Sequence, residues 1–264
     1  MRYGFCADIT KALTGDMTLL DRIVAAGYDF VEFSLNRVAA LSDDSFAALL
    51  VYTRQYPLPL SACNCMYANE VRLTGPARNE AQISQYTARA LGRARQLGAC
   101  KVVLGSNHAR NIPDGYPEEQ AYAEFIDLCR RVIAPIAAAE DVCVVIEPLR
   151  RPASNFIITV ADGLRVVAGA DHPYIQVLAD TIHMLTSGES PDILAQAGAH
   201  LRHIHVSDFE RALPEDGYSS QLLRILNAVV DCGYRDTISF ESQLGRNEKS
   251  LFLALNLLKQ KLGA

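Results

Sequence analysis

Four residues of metal-ligand type in the second half of the chain each close a short apolar run. Glu147 follows Val142, Cys143, Val144, Val145 and Ile146, and Asp180 follows Ile175, Gln176, Val177, Leu178 and Ala179. His205 lies in Leu201-Arg202-His203-Ile204-His205-Val206, and Glu241 follows Thr237, Ile238, Ser239 and Phe240. Runs of this length read as strands, and in a barrel of parallel strands the residues at their C-terminal ends project into one mouth. Three carboxylates and an imidazole crowded there would repel one another unless a cation offset their charge. The pattern therefore predicts a divalent metal site.

Other candidates gather around these four. His183, in Asp180-Thr181-Ile182-His183, stands one turn beyond the acid, within reach of the same pocket if the chain curls after the strand. His203 and His205 alternate with Ile204, so on a strand both point to one side. His205, nearer the C-terminal end, is the expected ligand, and His203 is expected to pack in the core or orient it. Arg211 falls in the loop after the seventh run, where a guanidinium could hold oxyanions or hydroxyls, or could simply be solvated. Arg150-Arg151 read by default as a solvated pair. The sequence contains no Gly-x-Ser-x-Gly elbow, no Gly-x-x-x-x-Gly-Lys phosphate loop and no His-Glu-x-x-His pair.

Such residues need elements to hold them. Short apolar runs alternate with amphipathic segments about eight times, with no low-complexity linker between them, and this predicts an α/β chain folded as a closed (β/α)8 TIM barrel, one domain over 1–264. Strands are expected near 2–8, 29–34, 58–65, 100–105, 142–147, 175–180, 202–207 and 236–241. Helices are expected near 16–26, 43–55, 79–97, 117–139, 159–169, 191–198, 219–232 and 247–262. In the seventh helix Leu222, Leu226 and Val229 share a face, while Arg224, Asn227 and Asp231 take the other. Longer loops over Asn64–Arg78, Ser106–Pro117, Leu149–Ile157 and Ser207–Ser219 belong to the face where such barrels place their chemistry. An open dinucleotide-binding sheet is the structural alternative, but no Gly-x-Gly-x-x-Gly follows the first strand.

The 264 residues carry 30 acidic and 25 basic side chains, a formal net charge of −5. That balance disfavours a nucleic-acid or anionic-membrane partner and suits a small-molecule substrate. The seven cysteines are odd in number and include no Cys-x-x-Cys pair, which predicts reduced thiols and a cytoplasmic location. No apolar segment reaches the length of a membrane span.

The sequence resembles the sugar-phosphate isomerase/epimerase group of xylose-isomerase-like barrels, which includes ketose 3-epimerases and hydroxypyruvate isomerases. The resemblance rests on Ile146-Glu147-Pro148-Leu149, Asn155-Phe156-Ile157, Leu178-Ala179-Asp180-Thr181-Ile182-His183-Met184, His203-Ile204-His205-Val206 with Arg211 six residues on, and Glu241. It implies one divalent metal held by Glu147, Asp180, His205 and Glu241, with His183 and Arg211 contacting a sugar or sugar-phosphate substrate. Glu147 and Glu241 would lie on opposite faces of that sugar and move a proton at the carbon beside the carbonyl, through an enediolate. Three hard oxygens and one nitrogen suit manganese, magnesium or cobalt, with zinc less specifically favoured. The chain departs from ketose epimerases in carrying Arg150 and Ala153 where they have Asn and Glu, and the extra Arg would suit a phosphate or carboxylate. The same architecture also houses inosose and dehydroshikimate dehydratases, zinc-dependent apurinic endonucleases and, conceivably, non-catalytic sugar-binding proteins. A homo-oligomer is compatible with all of these.

Overall fold

A computed structural model describes residues 1–244 and 249–263. Eight parallel strands close into a barrel in chain order: β1 (Arg2–Ala7), β2 (Phe30–Ser34), β3 (Leu60–Asn64), β4 (Lys101–Leu104), β5 (Cys143–Ile146), β6 (Ile175–Asp180), β7 (Leu201–Val206) and β8 (Thr237–Phe240). β8 returns to β1, with Arg2 opposite Thr237 and Phe5 opposite Phe240. Every expected strand is present, within a residue or two of its expected ends. Their apolar runs are legible because a strand in a closed parallel barrel is covered on the outside by helices and on the inside by other strands.

The helices follow the same logic. Ser220–Asp231 buries Leu222, Ile225, Leu226 and Val229, and the Ser219 side chain caps its start by accepting from the Leu222 amide. Glu80–Leu97 ends at Gly98, whose φ of 98° lets its N–H turn back to the carbonyls of Ala94 and Arg95. The long segment expected over 117–139 is helical throughout but carries a wider turn at Cys129–Ile133 between Glu118–Leu128 and Ala134–Ala139. The last helix runs Ser250–Leu262, and positions 247 and 248 of its expected start lie outside the described residues. Among the described residues no helix is long and apolar enough to cross a membrane.

Short helices at Leu35–Ala39, Asn107–Arg110 and Thr181–Ser187 occupy stretches after β2, β4 and β6 for which the sequence predicts no helix. Inside the barrel Val103, Val145 and Leu178 form a small apolar plug. Glu32, Lys101, His203 and Thr237 place polar groups inside the barrel as well. At the N-terminal end Lys101 donates to Thr237 Oγ1 at 2.8 Å and pairs with Asp236, which also receives Arg202 Nε at 3.1 Å.

Candidate metal centre

Glu147 directly follows β5, Asp180 ends β6, His205 is the penultimate residue of β7, and Glu241 directly follows β8. The barrel brings these four together, with one ligand atom from each lying within 4.8 Å of the others. His205 Nδ1 stands 3.4 Å from Glu147 Oε1, 3.4 Å from Glu241 Oε2 and 3.9 Å from Asp180 Oδ2. The strand ladder carries the two glutamates into the mouth, since Glu147 N donates to Leu104 O and Glu241 N to Val206 O, both at 3.2 Å. Space for Glu147 comes from Gly105, where a Cβ would fall 1.8 Å from Glu147 Oε2.

The donor set fits a divalent cation. Burial pushes the Asp180 carboxyl above its ordinary range; His183 and Arg211 work against this, while the neighbouring Glu241 and Glu147 add to it. Burial alone would lower His205, but Glu32, Glu147 and Glu241 push its imidazole well above the usual range. Both shifts express one demand, for positive charge at this point. Glu147 Oε1 and His205 Nδ1 are buried with no hydrogen-bond partner of good geometry, as expected for ligand atoms. Three oxygens and one nitrogen of this kind suit manganese, magnesium, cobalt or zinc.

His183 and Arg211 meet the same pocket. His183 sits on Thr181–Ser187, a helix whose first turn is capped by Asp180 Oδ1 accepting from the Ile182 amide at 2.8 Å. Its Nε2 lies 3.7 Å from Asp180 Oδ2 and 3.9 Å from Glu147 Oε1, while its Nδ1 accepts from the Arg150 backbone N–H at 3.3 Å. Arg211 donates to Glu241 Oε2 at 2.6 Å and to Asp180 Oδ2 at 3.4 Å, and its Nη2 comes within 3.3 Å of His183 Nε2. An imidazole and a guanidinium therefore converge beside the carboxylates. The left-handed backbone at Glu210 (φ 59°) and Arg211 (φ 56°) turns the chain here, so Arg211 is a half-buried member of the cluster and not the solvated loop residue that sequence alone leaves open. Arg150 reaches His183 only through its backbone, and its guanidinium donates to Thr186 Oγ1 at 3.3 Å.

Several site residues escaped the sequence reading. Glu32 of β2 is wholly buried, with Oε2 2.9 Å from His203 Nε2 and Oε1 2.9 Å from His205 Nε2. A signal existed: Glu32 is a lone charge inside Phe30-Val31-Glu32-Phe33. Burial would raise its carboxyl, but the two imidazoles hold it well below the ordinary range. His203 is the core histidine expected, its Nδ1 2.7 Å from Thr237 Oγ1, and burial lowers its basicity. Asn64 donates to Glu241 Oε1 at 3.4 Å and accepts from Ser34 Oγ at 3.1 Å. A cleft of about 300 Å³, lined by Cys6, Asp8, Ser34, Asn64, Arg211 and Glu241 among others, opens directly onto the cluster.

The profile of the family described as "Xylose isomerase-like TIM barrel" matches residues 20–260. The chain is 35% identical over 92 residues to 3-dehydro-D-guloside 4-epimerase of Escherichia coli (strain K12), covering 33% of this chain and 34% of that protein. It is 26% identical over 132 residues to a probable ketose 3-epimerase of Synechocystis sp. (strain ATCC 27184 / PCC 6803 / Kazusa), covering 49% of this chain and 45% of that protein. The aligned stretches thus span about a third and just under half of these two curated relatives. Among solved structures, D-psicose 3-epimerase in the presence of D-fructose matches over 100% of both chains with a TM-score of 0.83 at 18% identity, a likeness of fold.

Proposed function

The chain belongs to the xylose isomerase-like TIM-barrel family, and on that premise we propose that it is a divalent-metal-dependent isomerase or epimerase of a ketose, aldose or sugar phosphate. The observation that carries this reading is the placement of two glutamates around one imidazole: His205 Nδ1 is 3.4 Å from an oxygen of Glu147 and 3.4 Å from an oxygen of Glu241. The epimerase names of the curated relatives support it. Residues 1–264 are read as one barrel, working in the cytoplasm.

Glu147, Asp180, His205 and Glu241 would hold the ion, with manganese, magnesium or cobalt preferred. Held there, the ion would supply Lewis acidity, polarising a substrate carbonyl and offsetting the negative charge left by proton removal. The remaining work belongs to side chains. Burial would raise Glu241, but His205 and Arg211 hold it down at about 2, so it is ionised at neutral pH and available to take a proton from the carbon beside the carbonyl. Glu147, across the cluster, exchanges a proton on the opposite face of the same carbon. The Arg211 guanidinium, which only donates, and the His183 imidazole beside it bind and orient substrate oxygens. The cleft beside Asn64 and Ser34 receives the rest of the polyol.

The test is a screen of the manganese-loaded protein against ketoses, polyol ketones and their phosphates in D₂O. Conversion accompanied by deuterium at the carbon next to the carbonyl is the expected result. Loss of water from a substrate would favour a dehydratase instead, and binding without exchange or turnover across the panel would contradict catalysis.

A further inference from the structure

We propose that Glu32 is a positioning residue that decides which nitrogen of His205 faces the metal-binding carboxylates. The proposal rests on the metal reading above and concerns a side chain that contacts neither the cleft nor the other three candidate ligands. Glu32 is 0% exposed, deep in the barrel. Its two oxygens are shared out, one to each histidine of β7, at 2.9 Å in both cases. An ionised carboxylate only accepts, so a hydrogen of His205 sits on Nε2, and Nδ1 is the nitrogen left facing Glu147, Asp180 and Glu241, where it can give up its hydrogen to a cation. Without that acceptor the ring would be free to put its hydrogen on Nδ1, where it would block coordination.

The second histidine completes the device. Thr237 Oγ1 receives a hydrogen bond from Lys101 Nζ at 2.8 Å, and an ammonium group can only donate. His203 Nδ1 lies 2.7 Å from that hydroxyl and 3.0 Å from the Thr237 backbone carbonyl, so the ring is anchored there with Nε2 toward Glu32. His203 in turn directs Nε2–H to Glu32. Each oxygen of Glu32 then holds one N–H, and the carboxylate needs no proton of its own. The chain of contacts runs from the candidate ligand His205 through Glu32, His203, Thr237 and Lys101 to Asp236, whose side chain is 30% exposed at the opposite end of the barrel. Cys6 also lies near Glu32 and His205 in an arrangement with metal-site spacing. The Glu32–His205 hydrogen bond already engages both of those side chains.

Replacing Glu32 by Gln keeps the shape but leaves one acceptor oxygen for two N–H groups. The experiment measures Mn²⁺ dissociation constants by chelator competition on the full chain for wild type, Glu32→Gln and Asp180→Asn, with melting curves of each metal-free protein. Glu32→Gln should weaken Mn²⁺ binding roughly 10–100-fold, as loss of a partner behind a ligating histidine does, without a matching loss of metal-free stability. A folded Glu32→Gln protein with wild-type affinity, or one that loses stability while keeping affinity, overturns the proposal and leaves the metal site standing. Absence of Mn²⁺ binding by wild type overturns both. A second measurement needs no folded variant at position 32: in Zn²⁺-loaded wild type, long-range ¹H–¹⁵N spectra should show the His205 hydrogen on Nε2, the signal being identified by its loss in His205→Asn. A hydrogen on Nδ1 contradicts the assignment.

Discussion

Glu147 reaches its place only because residue 105 has no side chain. A Cβ at Gly105 would sit 1.8 Å from Glu147 Oε2, and the clash falls on the far end of a side chain and not on backbone. Gly105→Ala should therefore fold normally yet displace the carboxylate, lowering Mn²⁺ affinity and turnover together. Calorimetric titration alongside circular dichroism checks this, and unchanged affinity would show that Glu147 has another way to sit. Arg211 predicts the opposite split. It lies 2.6 Å from Glu241 and 3.4 Å from Asp180, so Arg211→Ala removes a competing positive charge from two proposed ligands. The variant should raise KM while holding metal as well as wild type or better; a fall in metal content with KM unchanged would make it a structural residue. At this scale the four candidate ligands were legible because each ends an apolar run. Glu32 and Asn64 were not, because each acts through a strand distant in sequence, and Gly105 acts through an absence that no residue type announces.

The elements are tied at the end of the barrel away from the candidate metal centre. Lys101 opens β4, Thr237 opens β8 and Arg202 lies in β7, and all converge on Asp236 or its neighbour. Burial would raise the Asp236 carboxyl, but Lys101 and Arg202 hold it below the ordinary 3.8. Its folded value is depressed, so its stabilising contribution is complete above about pH 4 and is lost as pH falls through the folded value. Asp236→Asn should cost about 3 kcal/mol at neutral pH, since it strands the 7% exposed Lys101 ammonium, and should flatten the stability curve below pH 4. Urea unfolding from pH 2.5 to 7 measures both effects, and parallel curves for variant and wild type would refute the pairing. The strands and main helices were readable from their periodicity. Leu35–Ala39, Asn107–Arg110 and Thr181–Ser187 were not, because seven residues or fewer make two turns at most, too short for a 3.6-residue pattern to emerge. The last of these matters most, since it turns His183 toward Asp180.

The whole molecule was legible in its count of eight alternating units, and closure in chain order follows from short connections and right-handed crossovers. The candidate ligands come from four consecutive strands, β5 to β8, so an ion there would clamp half the barrel. At a hundred times its dissociation constant Mn²⁺ should add about 2.7 kcal/mol, raising the melting temperature by roughly 5 °C, and Asp180→Asn should abolish the increment. The central claim is that Glu147 and Glu241 move a proton across this centre, and it is tested most directly by solvent deuterium entering the substrate carbon in Glu147→Gln and Glu241→Gln, each loaded with Mn²⁺. Turnover should fall roughly 10²–10⁴-fold in both, and the two variants should differ in which epimer still exchanges its hydrogen with D₂O. Near-wild-type exchange in both variants, or conversion with the carbon hydrogen retained throughout, would contradict it.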